Sequence, residues 1–123
     1  MHPFHHAAAT PGKPAIIMAS TGEAMSYSEL EARSNRAANL FRANGLQRGD
    51  MVAFLLLNRM DYLPLAWGAQ RAGLYFTCIS TKSSAEEAAY IVGDCGARLL
   101  VLDSALAHLA TAMPHVQHRF AAA

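Results

Sequence analysis

A few short stretches of the 123-residue chain carry side chains whose types and spacing could do chemistry. Ser20-Thr21-Gly22 has the small, hydroxyl-bearing character of a phosphate-holding turn. Glu23 would set a carboxylate beside the anion and repel it, so a hairpin turn is the better reading. Gly68 and Gly73 have the spacing of a phosphate-loop glycine pair, yet Leu74-Tyr75 stand where a lysine and a hydroxyl residue are required. Those glycines are expected to serve helix packing and a helix cap. His2, His5 and His6, with His115 and His118, could invite a metal. Both groups sit at the ends of the sequence without a nearby carboxylate or thiol, and structural zinc needs four fixed ligands, so no metal is expected.

Cys78 and Cys95 are the only cysteines, which fits reduced, buried side chains better than a disulfide framework. Trp67, Tyr62 and Phe41 are expected in the core or covering a sheet rather than stacking on bases. Asn58 follows an apolar run, Met51 to Leu57, and its amide can both donate and accept. With no acid, base or nucleophile beside it, Asn58 is expected to bracket neighbouring loops. No catalytic, cofactor-binding or metal-binding residue is assigned.

These side chains need elements to position them, and the bulk properties permit one folded unit. The chain is 53% hydrophobic and 15% charged, enough apolar content to offset the entropy of ordering. The formal charge is +1 and the arginines are interleaved with acids, so no stripe for a nucleic-acid backbone exists. No run reaches the roughly 18 apolar residues that span a bilayer. The opening residues lack a charged segment followed by an apolar one, which argues against a secretory signal and for a cytoplasmic setting.

Ala15 to Met18 and Ala24 to Tyr27, joined by the Ser20–Glu23 turn, predict a hairpin. Ser26 and Glu29 fit a capping box for a helix whose inner face is Leu30, Ser34, Ala37, Ala38 and Phe41, and Gly45 with Leu46 fits its stop. Met51–Leu57 is apolar throughout, which predicts a strand covered on both sides; at about 3.3 Å per residue it would span roughly 23 Å. Asp61 is expected to cap the next helix, with Pro64 in its first turn and Leu63, Leu65, Ala66, Ala69 and Ala72 apolar. Leu74–Ile79 predicts a second strand. Ser83 or Ser84 with Glu86 or Glu87 predicts another capped helix, with Ala88, Ile91 and Val92 inside and Gly96 as its stop. Leu99–Leu102 predicts a third strand, and Ser104–Met113 a last helix stopped by Pro114. This order predicts an α/β fold: an N-terminal β-hairpin, then β-α-β-α-β-α units with a mostly parallel sheet, whose ligand edge is the carboxyl end of the strands.

Met25-Ser26-Tyr27-Ser28-Glu29-Leu30 resembles the first core motif of the AMP-forming adenylating enzymes, commonly Leu-Thr/Ser-Tyr-x-Glu-Leu. The stretch from Arg33 to Asn58 is similar to that family's helix, Gly-Asp turn and strand ending in Asn. Gln70 to Tyr75 follows its second core motif, Leu-Lys-Ala-Gly-x-Ala/Tyr-Tyr, and Ser83 to Val101 its next helix and strand. The resemblance covers about Pro11 to Asp103, and Gly73 to Ser80 looks most like acyl-CoA synthetases acting on fatty acids. It implies a partial large domain: an N-terminal extension over 1–14, a partial AMP-binding domain over 15–113 and a C-terminal tail over 114–123.

For the full-length enzyme the resemblance implies carboxylate activation by ATP through an acyl-adenylate, with magnesium, and transfer to coenzyme A. The family's Pro-Lys-Gly phosphate loop, its magnesium-site acid and its adenylation lysine have no counterpart in these 123 residues. The chain is therefore expected to bind no cofactor and to be inactive alone, as a scaffold partnered by the remainder of the adenylating enzyme. The alternative is a freestanding non-catalytic α/β module that associates with itself or with a partner through an exposed apolar surface.

Overall fold

Ser26 opens a 17-residue helix, its hydroxyl accepting from the Glu29 N–H at 3.2 Å. The Glu29 carboxylate does not reach back to complete the box; it pairs with Arg33 at 2.6 Å, because a charged guanidinium is the stronger partner. Leu30, Ser34, Ala37, Ala38 and Phe41 are the buried face, as their spacing requires. At the other end Gly45 has φ 84°, its N–H donating to the Arg42 carbonyl, while the Leu46 N–H reaches the Phe41 carbonyl and the Leu46 side chain is buried.

A computed structural model of the chain describes residues 1–113, 116 and 118–122, the last five by their backbone alone. Its elements are α1 (Pro3–Ala9), β1 (Pro14–Ile17), β2 (Ala24–Ser26), α2 (Tyr27–Ala43), β3 (Met51–Leu55), α3 (Tyr62–Arg71), β4 (Tyr75–Cys78), α4 (Ala85–Asp94), β5 (Ala97–Asp103), a 3₁₀ helix (Ser104–Ala112) and β6 (His118–Ala122). β1 and β2 form the expected antiparallel hairpin. The other strands make a parallel sheet in the order β4-β3-β5-β6. Among the described residues no helix is long and apolar enough to cross a membrane.

β3 lies inside the sheet and is covered on both faces, which is why its sequence does not alternate. Val52, Phe54 and Leu56 join Phe41, Ala69, Leu99 and Val101 in one core cluster; Ala53 and Leu55 join Ala88, Val92, Leu100, Leu102 and Met113 in another. The strand is shorter than the apolar run. It ends at Leu55, Leu56 is still buried, and Leu57 is 43% exposed. Its ladder gives out there, since β4 ends opposite Phe54 and the β5 register ends at Leu55–Leu102.

α3 departs from expectation at its start. Asp61 makes no side-chain cap bond, because Arg33 and Arg59 occupy its carboxylate, and Leu63 is exposed while Pro64, Gly68 and Ala69 are buried. A methyl on Gly68 would lie 2.5 Å from the Ala37 Cβ and 2.9 Å from the Ser34 carbonyl, so this glycine sets the close crossing of α2 and α3. Gly73, with φ 75°, ends α3. α4 has the complete box: the Ser84 hydroxyl accepts from the Glu87 N–H at 3.1 Å, and the Glu87 carboxylate accepts from the Ser84 N–H at 2.9 Å.

The helix expected over Ser104–Met113 is 3₁₀ rather than α, and none of its residues is buried. The packing that ordinarily holds an α-helix is thin here, coming from the partly buried Leu106, Leu109 and Ala110. Pro114, its expected stop, lies outside the described residues. The cysteines are free but not buried: Cys78 is exposed at the end of β4, an edge strand, and Cys95 is half-buried at the α4 C-cap. Residues 118–122, which the sequence places in a tail, pair with β5, and α1 in the N-terminal extension packs on α2.

Candidate functional site

Parallel strands bring their carboxyl ends to one edge, where sheets of this type hold ligands. Here that edge presents Asn58 and Arg59 after β3, Cys78 and Ser80 at and beyond the end of β4, and Asp103 closing β5. Asn58 is exposed and makes no hydrogen bond among the described residues, so the expected bracket is not Asn58. Its neighbour takes that role. Arg59 Nη1 donates to Asp103 Oδ2 at 3.3 Å and Nη2 to Asp61 Oδ2 at 3.2 Å, with the side chain 19% exposed.

Asp61 Oδ1 accepts from Arg33 Nη1 at 3.1 Å, and Arg33 Nη2 donates to Glu29 at 2.6 Å. The result is a chain of alternating charge, Glu29–Arg33–Asp61–Arg59–Asp103, that ties α2 to the β3–α3 loop and to the end of β5. Partial burial works against the Arg33 charge, but Glu29 and Asp61 overcome it and hold its pKa above the ordinary value. Asp103 is buried, and its other oxygen accepts from the Ala105 N–H at 3.3 Å. A carboxylate there without a cation would be costly, and Arg59 supplies one. Chemically, this arrangement holds loops in place.

Beside it lies an open depression of about 360 Å³, walled by Ile16 and Met18 of the hairpin and by Asn58, Arg59, Tyr62 and Leu63. Burial, with the Cys78 thiol beside it, pushes the Tyr62 phenol well above its ordinary pKa. Tyr62 is therefore a neutral hydroxyl at physiological pH, unsuited to act as a base.

The two glycine turns do not fit a phosphate. The Gly22 N–H is bonded to the Met18 carbonyl at 2.7 Å and the Gly73 N–H to the Gln70 carbonyl at 3.1 Å, so neither amide is available to an anion. Gly22 turns the hairpin with φ 75°. His2 and His6 face Trp67 and Tyr27 at ring separations of 4.9 and 5.0 Å. Among the described residues no group of three His, Cys, Asp or Glu could hold a metal; His115 and the side chain of His118 lie outside them. Phe41 is in the core, Tyr62 packs against the same cluster, and Trp67 is half-buried against His2. The Arg59–Asp61 spacing was visible in the sequence; the pairing of Arg59 with Asp103, 44 residues away, had no local signal.

The sequence model of the family described as AMP-binding enzyme matches residues 3–121. Long-chain fatty acid transport protein 1 of Homo sapiens is 35% identical over 91 residues, 74% of this chain and 14% of that protein. The long-chain-fatty-acid–CoA ligase FadD13 of Mycobacterium tuberculosis is 32% identical over 95 residues, 77% of this chain and 19% of that protein. The inhibitor-bound crystal structure of the N-terminal domain of FACL13 from Mycobacterium tuberculosis matches with a TM-score of 0.90 and 28% identity, over 98% of this chain and 32% of that one. The chain thus spans about a fifth or less of the length of these curated relatives.

Proposed function

This chain belongs to the AMP-binding enzyme family, and from that premise we propose that it is the N-terminal scaffold of an ATP-dependent acyl-CoA synthetase, catalytically silent by itself. The observation that carries this is the alternating charge chain at the strand edge, whose acids and guanidiniums are engaged with one another in holding loops. ATP, magnesium and coenzyme A would be handled by polypeptide other than these 123 residues. The names of two of the relatives, a ligase and a transport protein of long-chain fatty acids, favour a fatty acid as the substrate of the whole enzyme. The purified chain, mixed with ATP, magnesium, coenzyme A and octanoate, should release no pyrophosphate above a protein-free blank; release above the blank would overturn the claim.

A second reading, a freestanding non-catalytic interaction module, is favoured by the exposed apolar side chains Leu63, Tyr75 and Phe76 at the free side of β4. The coding sequence separates the two. A frame that continues past Ala123 into a phosphate loop supports the scaffold, and a stop codon there supports the module.

A further inference from the structure

We propose that the free edge of β4 is a self-association strip, to which a second copy of this chain adds its own β4, antiparallel, across a twofold axis at Thr77. This rests on the second reading above, in which the outer side of β4 is open. β4 is the last strand of the sheet on its side, and its register against β3 runs without a shift. The Tyr75 N–H donates to the Asp50 carbonyl and the Ile79 N–H to the Phe54 carbonyl, so these amides face β3. Backbone groups alternate along a strand, which turns the N–H and C=O of Phe76 and Cys78 outward. That edge lacks the usual guards: from Ala72 to Thr81 there is no charged residue and no proline. The hairpin does carry them. Lys13 and Glu23 precede its strands, Pro14 starts the first, and its register shifts between Pro14 and Ile16.

Pairing about Thr77 sets Phe76 opposite the second copy's Cys78, and Cys78 opposite its Phe76, each pair exchanging both backbone bonds. The axis stands normal to the sheet, so both copies keep α3 on the same face. There Phe76 lies 5.6 Å from Phe54 of the core, and with Leu63, Ala66, Trp67 and Gln70 of α3 it walls a depression of about 390 Å³. Leu63 is 47% and Phe76 42% exposed. Beside their images they bury apolar surface that neither copy covers alone. Charge selects the occupant. A twofold contact sets side chains beside their own images, so any charge on it meets its like. Tyr62 to Gln70 on α3 carries no charge either, and Arg71, which follows, is held by Glu31 at 2.6 Å. A partner steered by charge finds nothing to grip here, whereas a second copy meets no repulsion.

Under reducing conditions the whole chain is weighed by sedimentation equilibrium over a concentration series, with amide exchange followed by NMR at both ends of it. The expected result is a monomer–dimer equilibrium in which the Phe76 and Cys78 amides are protected only where dimer dominates, while those of Tyr75 and Ile79 are protected throughout. Cys78→Lys should raise the dimer dissociation constant at least about tenfold, and Leu63→Lys several-fold, because each puts a charge into the uncharged strip. Both positions are exposed, and circular dichroism at the dilute end, where every variant is a monomer, checks that the fold is kept. Cys78→Ser, and Tyr90→Lys on α4, should leave the equilibrium unchanged. A monomer at every concentration overturns the proposal, as does a dimer indifferent to both lysines, or one whose Phe76 and Cys78 amides exchange freely. Those two amides protected in a monomeric, longer product of the same gene would give the edge to another segment of that polypeptide and overturn it too. The stop codon judges the module reading and the dimer judges this strip, so either can fail without the other.

Discussion

On one face of β3, Val52, Phe54 and Leu56 pack beneath α2 and α3; on the other, Ala53 and Leu55 pack beneath α4 and the 3₁₀ helix. The first cover is locked. Its helices touch where Gly68 leaves no room for a methyl, and Arg71–Glu31 at 2.6 Å and Arg33–Asp61 at 3.1 Å tie them together. The second includes a 3₁₀ helix with no buried residue, held by a few partly buried contacts. Both faces are dry, yet they should answer damage differently, because the cost of a deletion depends on how far the surroundings can settle into the gap.

Neighbouring leucines on β5 test this directly, since Leu99 belongs to the locked face and Leu100 to the other, and both are fully buried. Leu99→Ala should cost about 4–5 kcal/mol and Leu100→Ala about 2–3 kcal/mol in urea unfolding. Equal losses would abolish the distinction. Gly68→Ala should cost about 2 kcal/mol, because α3 must move off Ala37 and Ser34 to admit the methyl. A thermal melt unaltered by that substitution would mean that the α2–α3 crossing yields freely.

The smallest effect is shared by both faces. Asp50 Oδ2 accepts from the Gln47 N–H at 2.7 Å and from Arg98 on β5 at 2.8 Å. The Gln47 amide, against some opposition from burial and with help from the Arg98 charge, holds the Asp50 pKa below its ordinary value. A carboxylate lowered in the folded state contributes stability above its unfolded pKa of about 3.9 and loses it as the pH falls through the lower folded value. The melting-temperature gap between wild type and Asp50→Asn should therefore be open at pH 6 and close below about pH 4. It should close alike in the Leu99→Ala and Leu100→Ala backgrounds; closure in only one would tie this bond to a single face.

The inner face of α2, the box at Ser84 and Glu87 and the stop at Gly45 were legible in the sequence because each is governed by residues within a turn or two of one another. The candidate site was legible only in its location. Strand-end logic pointed at Asn58-Arg59, but the choice between them depended on Asp103, which arrives from another strand. Asp61 looked like a cap and became an ion-pair partner for the same reason: Arg33 on α2 competes for it at 3.1 Å. Leu63 and Cys78, expected inside, are exposed along the side where β4 forms the sheet edge, and local patterning carries no information about which strand is last.

By itself, the sequence determined the hairpin, the order of helices and strands from Tyr27 to Asp103 and the parallel sheet, since periodicity, caps and turn residues act through neighbours along the chain; it did not give α1 or β6. It also carried the motifs of the family. Only the tertiary structure decided where β3 stops, that the last helix is 3₁₀, which carboxylates answer which arginines, and that His2 seats α1 on α3. Those outcomes come from contacts between residues far apart in the chain, where the winner among competing partners is set by proximity and burial in the folded state.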